Sequence, residues 1–314
     1  MTPDKDNSTT IGVMLLAFGG PDSLDSVEPF MERLMKGRKP TPEIIARAKD
    51  KYKLIGGKSP LNEITQRQAD ALQLKLNEIC NKSLKFKTYV GMRYWHPFIE
   101  ETIEQMISDG IKRAFAISMS PHSSQVSTGA YTDEINRVVS EKNLDIQIEM
   151  IKGMHKNPIF IDAVVERIND AIARFPKEKR DDIQVIFSSH SLPVAYIEAG
   201  DTYVDELRVT IEEVLKKTGS LSWHLAYQSK GSIPGDWLGP MVEDVLQDIA
   251  EAGYKEVLLV PIGFASDHME TLWDLDILHK KQAESLGLKC ERSDALNDSP
   301  KFIEALASMV CKQL

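Results

Sequence analysis

His190 ends an apolar run, IQVIFSSH, and opens a stiff turn, Ser191-Leu192-Pro193. With a reference pKa of about 6.5, an imidazole at such a place serves as a base or as a metal ligand, and a satisfied, partly buried histidine is the competing use. Further on, VPIGFASDHMETLWDLD (260–276) passes from a buried strand into a run of carboxylates. An α-helix beginning near Asp267 places Asp267, Glu270 and Asp274 within about 60° of one another on one face, with Leu278 ending the line and Asp276 on the opposite side. Two readings follow. Asp267 as N-cap with Glu270 as its capping-box partner needs no chemistry. Stacked carboxylates also cost free energy unless solvent, protons or a cation relieve them, and the cap does not require Asp274, so a metal or proton path is the alternative. His122, in ISMSPHSS, stands at another strand end. Ser189 and Ser191 flank His190 without the GxSxG elbow of a serine hydrolase. Gly19-Gly20, in AFGGPDS, matches neither GxGxxG nor GxxxxGK[ST], which argues against a nucleotide site.

The elements that must position these residues are short apolar runs alternating with helical patterns: 11–18, 86–92, 114–120, 146–151, 183–189, 224–228 and 257–263. That alternation predicts parallel βαβ units. PFIEETIEQMISDGIKRAFAISMSP (97–121) aligns without gaps on PMVEDVLQDIAEAGYKEVLLVPIGF (240–264), and NPIFIDAV (157–164) matches DSPKFIEAL (298–306) after one deletion. The repeat predicts two similar α/β halves, residues 1–157 and 158–314, with the last helix packing back on the first half. Ligands of open parallel sheets bind beyond the carboxyl ends of the strands, where His122, His190 and the acidic run lie.

At 314 residues the chain can bury a large interior without covalent staples. A net charge of −9 argues against nucleic acid as a partner. Cys80, Cys290 and Cys311 are widely spaced with no CxxC pair, so neither a disulfide framework nor a cysteine metal site is read from them. The N-terminus, MTPDKDNSTT, is polar, and no apolar run approaches the roughly 18 residues of a membrane span. A soluble, cytoplasmic monomer is expected.

Four motifs, IGGKSPLNEIT (55–65), SSHSLP (188–193), YQSKGSIPGDWLGP (227–240) and GFASDHMETLWDLD (263–276), together resemble the ferrochelatase family in kind and order. The likeness runs from LLAFGGPDS (15–23) to the C-terminal helix. It implies two Rossmann-like domains, each a parallel sheet flanked by helices in a chelatase-like duplication. It also implies a lyase of haem biosynthesis that inserts Fe²⁺ into a porphyrin, with loss of two pyrrole protons. The family's histidine and glutamate fall on His190 and Glu270, implied as catalytic residues and metal ligands, and its acidic line continues to Asp274 but meets Leu278 at the next position. Imidazole and carboxylate are donors suited to Fe²⁺ and acceptors suited to the protons.

Two departures qualify the resemblance. A tyrosine that approaches the metal in some bacterial members is Phe18 here, which leaves only packing against the macrocycle. Three scattered cysteines cannot build a four-cysteine [2Fe–2S] cluster, so no tightly bound cofactor is expected and Fe²⁺ is a substrate. Lys36 and Arg38 in MKGRKPTPE (35–43), Lys51, and Ser59 in GGKSP match the porphyrin-binding region and suit its carboxylates, a solvated charge run being the bland alternative. His122 matches a histidine of some relatives and is a second cleft candidate. Trp237 and Trp273 are read as core or cleft wall. GRKPTPE favours coproporphyrin III and ETLWDLDI protoporphyrin IX, with a slight preference for the first. The rivals are a cobalt- or nickel-inserting tetrapyrrole chelatase and a non-catalytic porphyrin or haem carrier.

Overall fold

The computed structural model describes residues 9–80, 83–219, 221–231 and 234–314. The N-terminal stretch through Ser8, read above for targeting signals, lies outside the described residues, as do Ser232 and Ile233 of the third motif. The apolar runs form strands because both faces of each inner strand are covered. Val13 to Leu16, Val185 to Phe187 and Val257 to Leu259 are fully shielded from solvent.

The first half contains β1 (Thr9–Ala17), α1 (Val27–Leu34), α2 (Pro42–Leu54), α3 (Leu61–Ile79), β2 (Leu84–Met92), α4 (Ile99–Ser108), β3 (Arg113–Ser118), a π-helix (Gln125–Gly129), α5 (Ala130–Glu141) and β4 (Gln147–Ile151). The second contains α6 (Pro158–Ile172), β5 (Gln184–His190), α7 (Val194–Glu198), α8 (Tyr203–Thr218), β6 (Ser222–Gln228), α9 (Val242–Glu251), β7 (Glu256–Val260), a second π-helix (Glu270–His279), α10 (Lys280–Ser285), β8 (Lys289–Arg292) and α11 (Pro300–Cys311). The sheets run β2-β1-β3-β4 and β6-β5-β7-β8, parallel throughout. The second order repeats the first element by element. β8 is absent from the expected strands because its four edge residues carry three charges around Cys290.

The repeat extends to local detail. The Phe98 N–H donates to Glu101 Oε2 at the start of α4 (2.7 Å), and the Met241 N–H donates to Asp244 Oδ2 at the start of α9 (3.4 Å). Each half places a π-helix after its third strand, where the sequence predicts an α-helix in the second half. α6 and α11 both open on proline and pack on each other, α6 against α8 and β7 of the second half and α11 against α3 of the first. Asn157 caps α6 through its side-chain oxygen and donates its amide to Ala305 O (3.2 Å) and Ser308 Oγ (2.8 Å) on α11. Among the described residues, no helix is long and apolar enough to cross a membrane.

Gln68 on α3 ties the halves by a different route. Fully buried, it donates from Nε2 to Ser266 Oγ (2.8 Å) and to Asn297 O (2.7 Å). Gln68→Leu leaves both acceptors without this donor in a dry interface, so it should destabilise the fold by about 1–3 kcal/mol. A lowered urea midpoint with an unchanged m-value is the expected readout, and a wild-type midpoint would refute the tie.

Candidate functional site

His190 is the last residue of β5, and three contacts fix the turn that follows it. The Ser191 N–H donates to Gln228 O (2.8 Å), the Ser191 hydroxyl to Leu238 O (2.8 Å), and the Tyr203 hydroxyl to His190 O (3.1 Å). The imidazole Nδ1 so held lies 2.9 Å from Glu270 Oε2, on the first turn of the second π-helix. Both side chains are about one-third exposed, at 35% and 28%, which leaves them open to a ligand.

The charges in this pair depend on each other. Burial disfavours the imidazolium, but Glu270, with a smaller effect from Asp274, outweighs it and raises the His190 pKa above 6.5. Burial likewise opposes the Glu270 carboxylate, yet His190, aided by His268 and Ser229, holds its pKa down to about 2. Asp274 behaves in the opposite way. Burial raises its pKa despite the short hydrogen bond from the Ser229 hydroxyl, and the Glu270 charge adds to the rise. Glu270 is thus shifted toward its anion, whereas His190 and Asp274 are shifted toward their protonated forms.

Helix α2 of the first half closes on this cluster. Lys51 Nζ sits 5.4 Å from the Trp273 ring centre and near enough to Asp274 to favour its anion. Tyr52, buried beside it, has its phenol pKa raised by burial and by the Glu270 charge. Tyr52, Tyr203, Gln228 and Ser229 are site residues that sequence reasoning missed. Gln228 and Ser229 lie in the quoted YQSKGS motif, Tyr52 adjoins Lys51, and Tyr203 has no local signal.

The π-helix is anchored from outside the site. Arg292, at the end of β8, donates to both oxygens of Asp276 (2.6 and 2.9 Å) and lies 3.1 Å from Asp267. Asn297 also holds Asp267, through its side-chain amide (2.8 Å) and by accepting from the Asp267 N–H (2.9 Å). The expected cap is therefore corrected: Asp267 belongs with Asp276 on Arg292, and Glu270 turns to His190. In a π-helix of about 4.4 residues per turn, Glu270 and Asp274 still share a face.

The other candidates separate. Phe18 is 45% exposed, its ring centre 4.5 Å from that of Tyr94, and it lines a pocket between the halves with Leu61, Met119, Gly263, Phe264 and His268. Lys36 and Arg38 are exposed between α1 and α2. Ser59 and His122 are buried, contrary to the expectation of cleft contacts. Ser59 packs under Gly20, where an added Cβ would meet its side chain at 2.5 Å, and its hydroxyl accepts from the Leu61 N–H. His122 Nε2 pairs with Thr210 Oγ1 on α8 (2.9 Å), and burial pushes its pKa down to about 3. The turns that carry these residues pack them inward.

Arg292→Met should cost about 3–5 kcal/mol by leaving Asp267 and Asp276 without their shared cation. It should also depress turnover, since Glu270 rides on the element released. Unfolding curves and steady-state rates check both, and a fully stable, fully active variant would remove Arg292 from its anchoring role.

The ferrochelatase sequence profile matches residues 10–314. The ferrochelatase of Herpetosiphon aurantiacus is 38% identical, over 98% of this chain and 100% of its own. The coproporphyrin III ferrochelatase of Halalkalibacterium halodurans is 36% identical, over 97% of each chain. Among solved structures, SirB from Bacillus subtilis with Fe³⁺ superposes with a TM-score of 0.60 at 11% identity, over 96% of this chain and 94% of that one. CbiX, described as the terminal enzyme of siroheme biosynthesis in denitrifying bacteria, gives 0.56 at 10% identity over 96% and 99%. These two share the duplicated fold, while the match through all four motifs and across both halves shows that the chain belongs to the ferrochelatase family.

Proposed function

We propose that this lyase inserts Fe²⁺ into a porphyrin in haem biosynthesis and that His190 and Glu270 form its metal and proton site. One observation carries the assignment: the 2.9 Å contact joining two partly open donors that are 80 residues apart in the chain, beyond the carboxyl end of a central strand. One imidazole nitrogen and one carboxylate suit transient binding of iron, which must pass on to four pyrrole nitrogens. Among the described residues, no three His, Cys, Asp or Glu side chains gather as a ready metal cage.

Insertion releases two protons from the macrocycle. His190, whose affinity for a proton is raised, takes the first, and Asp274, the less acidic of the two carboxylates, carries protons or metal onward. Phe18 supplies an apolar surface for the macrocycle, and Lys36 and Arg38 supply cations for its carboxylates. Lys51 stands between these roles, since it faces Trp273 and Asp274. The proposal takes residues 1–157 and 158–314 as the domains that form the cleft. It involves no resident cofactor or [2Fe–2S] cluster, iron being substrate, and it describes a cytoplasmic monomer. Coproporphyrin III is the proposed porphyrin, because four carboxylates use a basic entrance more fully than two.

His190→Ala and Glu270→Gln should each slow insertion about 100-fold or more while the protein stays folded. The assay follows collapse of the free-base four-band spectrum to two bands under anaerobic Fe²⁺, with Co²⁺ and Ni²⁺ alongside. A carrier would bind porphyrin without accelerating that change, and wild-type rates in both variants would sink the site assignment. A higher kcat/KM for protoporphyrin IX than for coproporphyrin III would reverse the porphyrin choice.

The pair also predicts a pH dependence. A raised folded-state pKa means that the His190 contribution to stability is complete below about pH 6.5 and fades as pH rises through the raised value. Insertion needs the neutral imidazole, so its acidic limb should be centred above 6.5. In Glu270→Gln the imidazole, followed by NMR titration, should become more acidic, and an unmoved titration would show that Glu270 does not control it.

A further inference from the structure

Cys80 and Cys311 lie far apart in sequence, yet their sulfurs approach to 2.7 Å. An ion pair elsewhere on the same two helices shows that this approach follows from helix packing. Arg67 on α3 pairs with Asp298, just ahead of α11, and Cys80 caps α3 where Cys311 ends α11. Both pairs are separated by 231 residues. Helices α3 and α11 therefore run side by side in one register from the ion pair to the thiols, about 20 Å at 1.5 Å per residue. Leu72 and Leu76 of α3 and Leu306 and Val310 of α11 belong to one buried cluster between these points. The two thiols sit at the rim of that cluster, partly exposed. Cys290 differs: it is buried at 5% exposure, and burial pushes its thiol up to about 12.

We propose that Cys80 and Cys311 form a reversible disulfide that staples the C-terminal helix to the first half when the protein meets a low-molecular-weight disulfide such as oxidised glutathione. The exchange balances in two steps. The Cys80 thiolate attacks one glutathione sulfur, breaking its S–S bond, forming a mixed disulfide and releasing one glutathione thiolate. The Cys311 thiolate then attacks the Cys80 sulfur, forming the protein disulfide and releasing the second glutathione thiolate. The protein's two thiol protons end on the two glutathione thiols, and its two electrons reduce the oxidant. The reverse order gives the same product, both thiols being partly exposed. The bond closes a loop spanning a 231-residue separation in the 314-residue chain, and a disulfide restricts the unfolded state most strongly for long loops. It also fixes the far end of the helix whose Gln68 reaches Ser266, beside the π-helix that carries Glu270.

The test incubates the full chain with oxidised glutathione, quenches free thiols with an alkylating agent and maps peptides by mass spectrometry. A linked Cys80–Cys311 peptide, loss of two hydrogens from the intact mass, alkylation confined to Cys290 and a Tm higher by roughly 5 °C are expected. Dithiothreitol should reverse all four, Cys80→Ser and Cys311→Ser should lack them, and Cys290→Ser should keep the link. Separate glutathione adducts on Cys80 and Cys311 without a linked peptide would overturn the proposal. So would a linked peptide accompanied by an unchanged Tm, which would remove the staple.

Discussion

A 2.9 Å contact between an imidazole and a carboxylate tolerates little movement, and the second half is arranged around keeping His190 and Glu270 at that separation. Either group alone would lose free energy by entering a partly dry cleft, whereas together each stabilises the charged form of the other. The Glu270 carboxyl is held below the usual carboxylate range by His190, and the His190 imidazole is held above its ordinary value by Glu270. Because the two sit on separate elements, the contact needs two anchors. Tyr203, Ser191 and Gln228 fix the β5 end, and Arg292 fixes the π-helix from behind. Gly263 serves the same end, since its N–H donates to Ser188 O (3.1 Å) and an added Cβ would lie 2.8 Å from that of Ser189.

Duplication supplied this frame twice but the chemistry once. Leu15 pairs with Ile117 in the first sheet as Phe187 pairs with Val260 in the second. Three residues beyond Leu15 stands Phe18, and three beyond Phe187 stands His190. The equivalent strand ends thus present an exposed apolar ring in one half and a proton-binding ring in the other. That division suits a flat macrocycle, which needs an apolar surface on one side and metal and proton chemistry on the other.

The sequence made the repeating frame legible because the inner strands are buried on both faces and read as unbroken apolar runs, as in Val13 to Leu16 and Val257 to Leu259. β8 escaped that signal because an edge strand of four residues needs little apolar character. His190, Glu270 and Asp274 were legible through their places at strand ends and in motifs. Arg292 was not, since its partners Asp267 and Asp276 are local to each other but remote from it, and no periodicity encodes an ion pair between a strand end and a helix. Ser59 and His122 show the converse. Both stand in polar, turn-rich stretches of the kind that mark binding loops, yet the structure buries them, Ser59 to close the Gly19-Gly20 turn and His122 to join the halves through Thr210.

The π-helix resolves the conflict that the carboxylate run poses. In an α-helix starting near Asp267, Asp267, Glu270 and Asp274 would crowd one face, and a cap at Asp267 would draw Glu270 back toward its own helix start. The structure instead begins the helix after Asp267, so this carboxylate pairs with Asp276 across the Arg292 guanidinium while Glu270 and Asp274 face Ser229 and the cleft. The three carboxylates that would crowd one face, together with Asp276 from the other, become two pairs with different neighbours. One pair shares the largely shielded Arg292 guanidinium and anchors the helix. The other faces His190, the Ser229 hydroxyl and, at Asp274, the Lys51 ammonium, so its charge is balanced by side chains at the cleft rather than by an anchoring guanidinium.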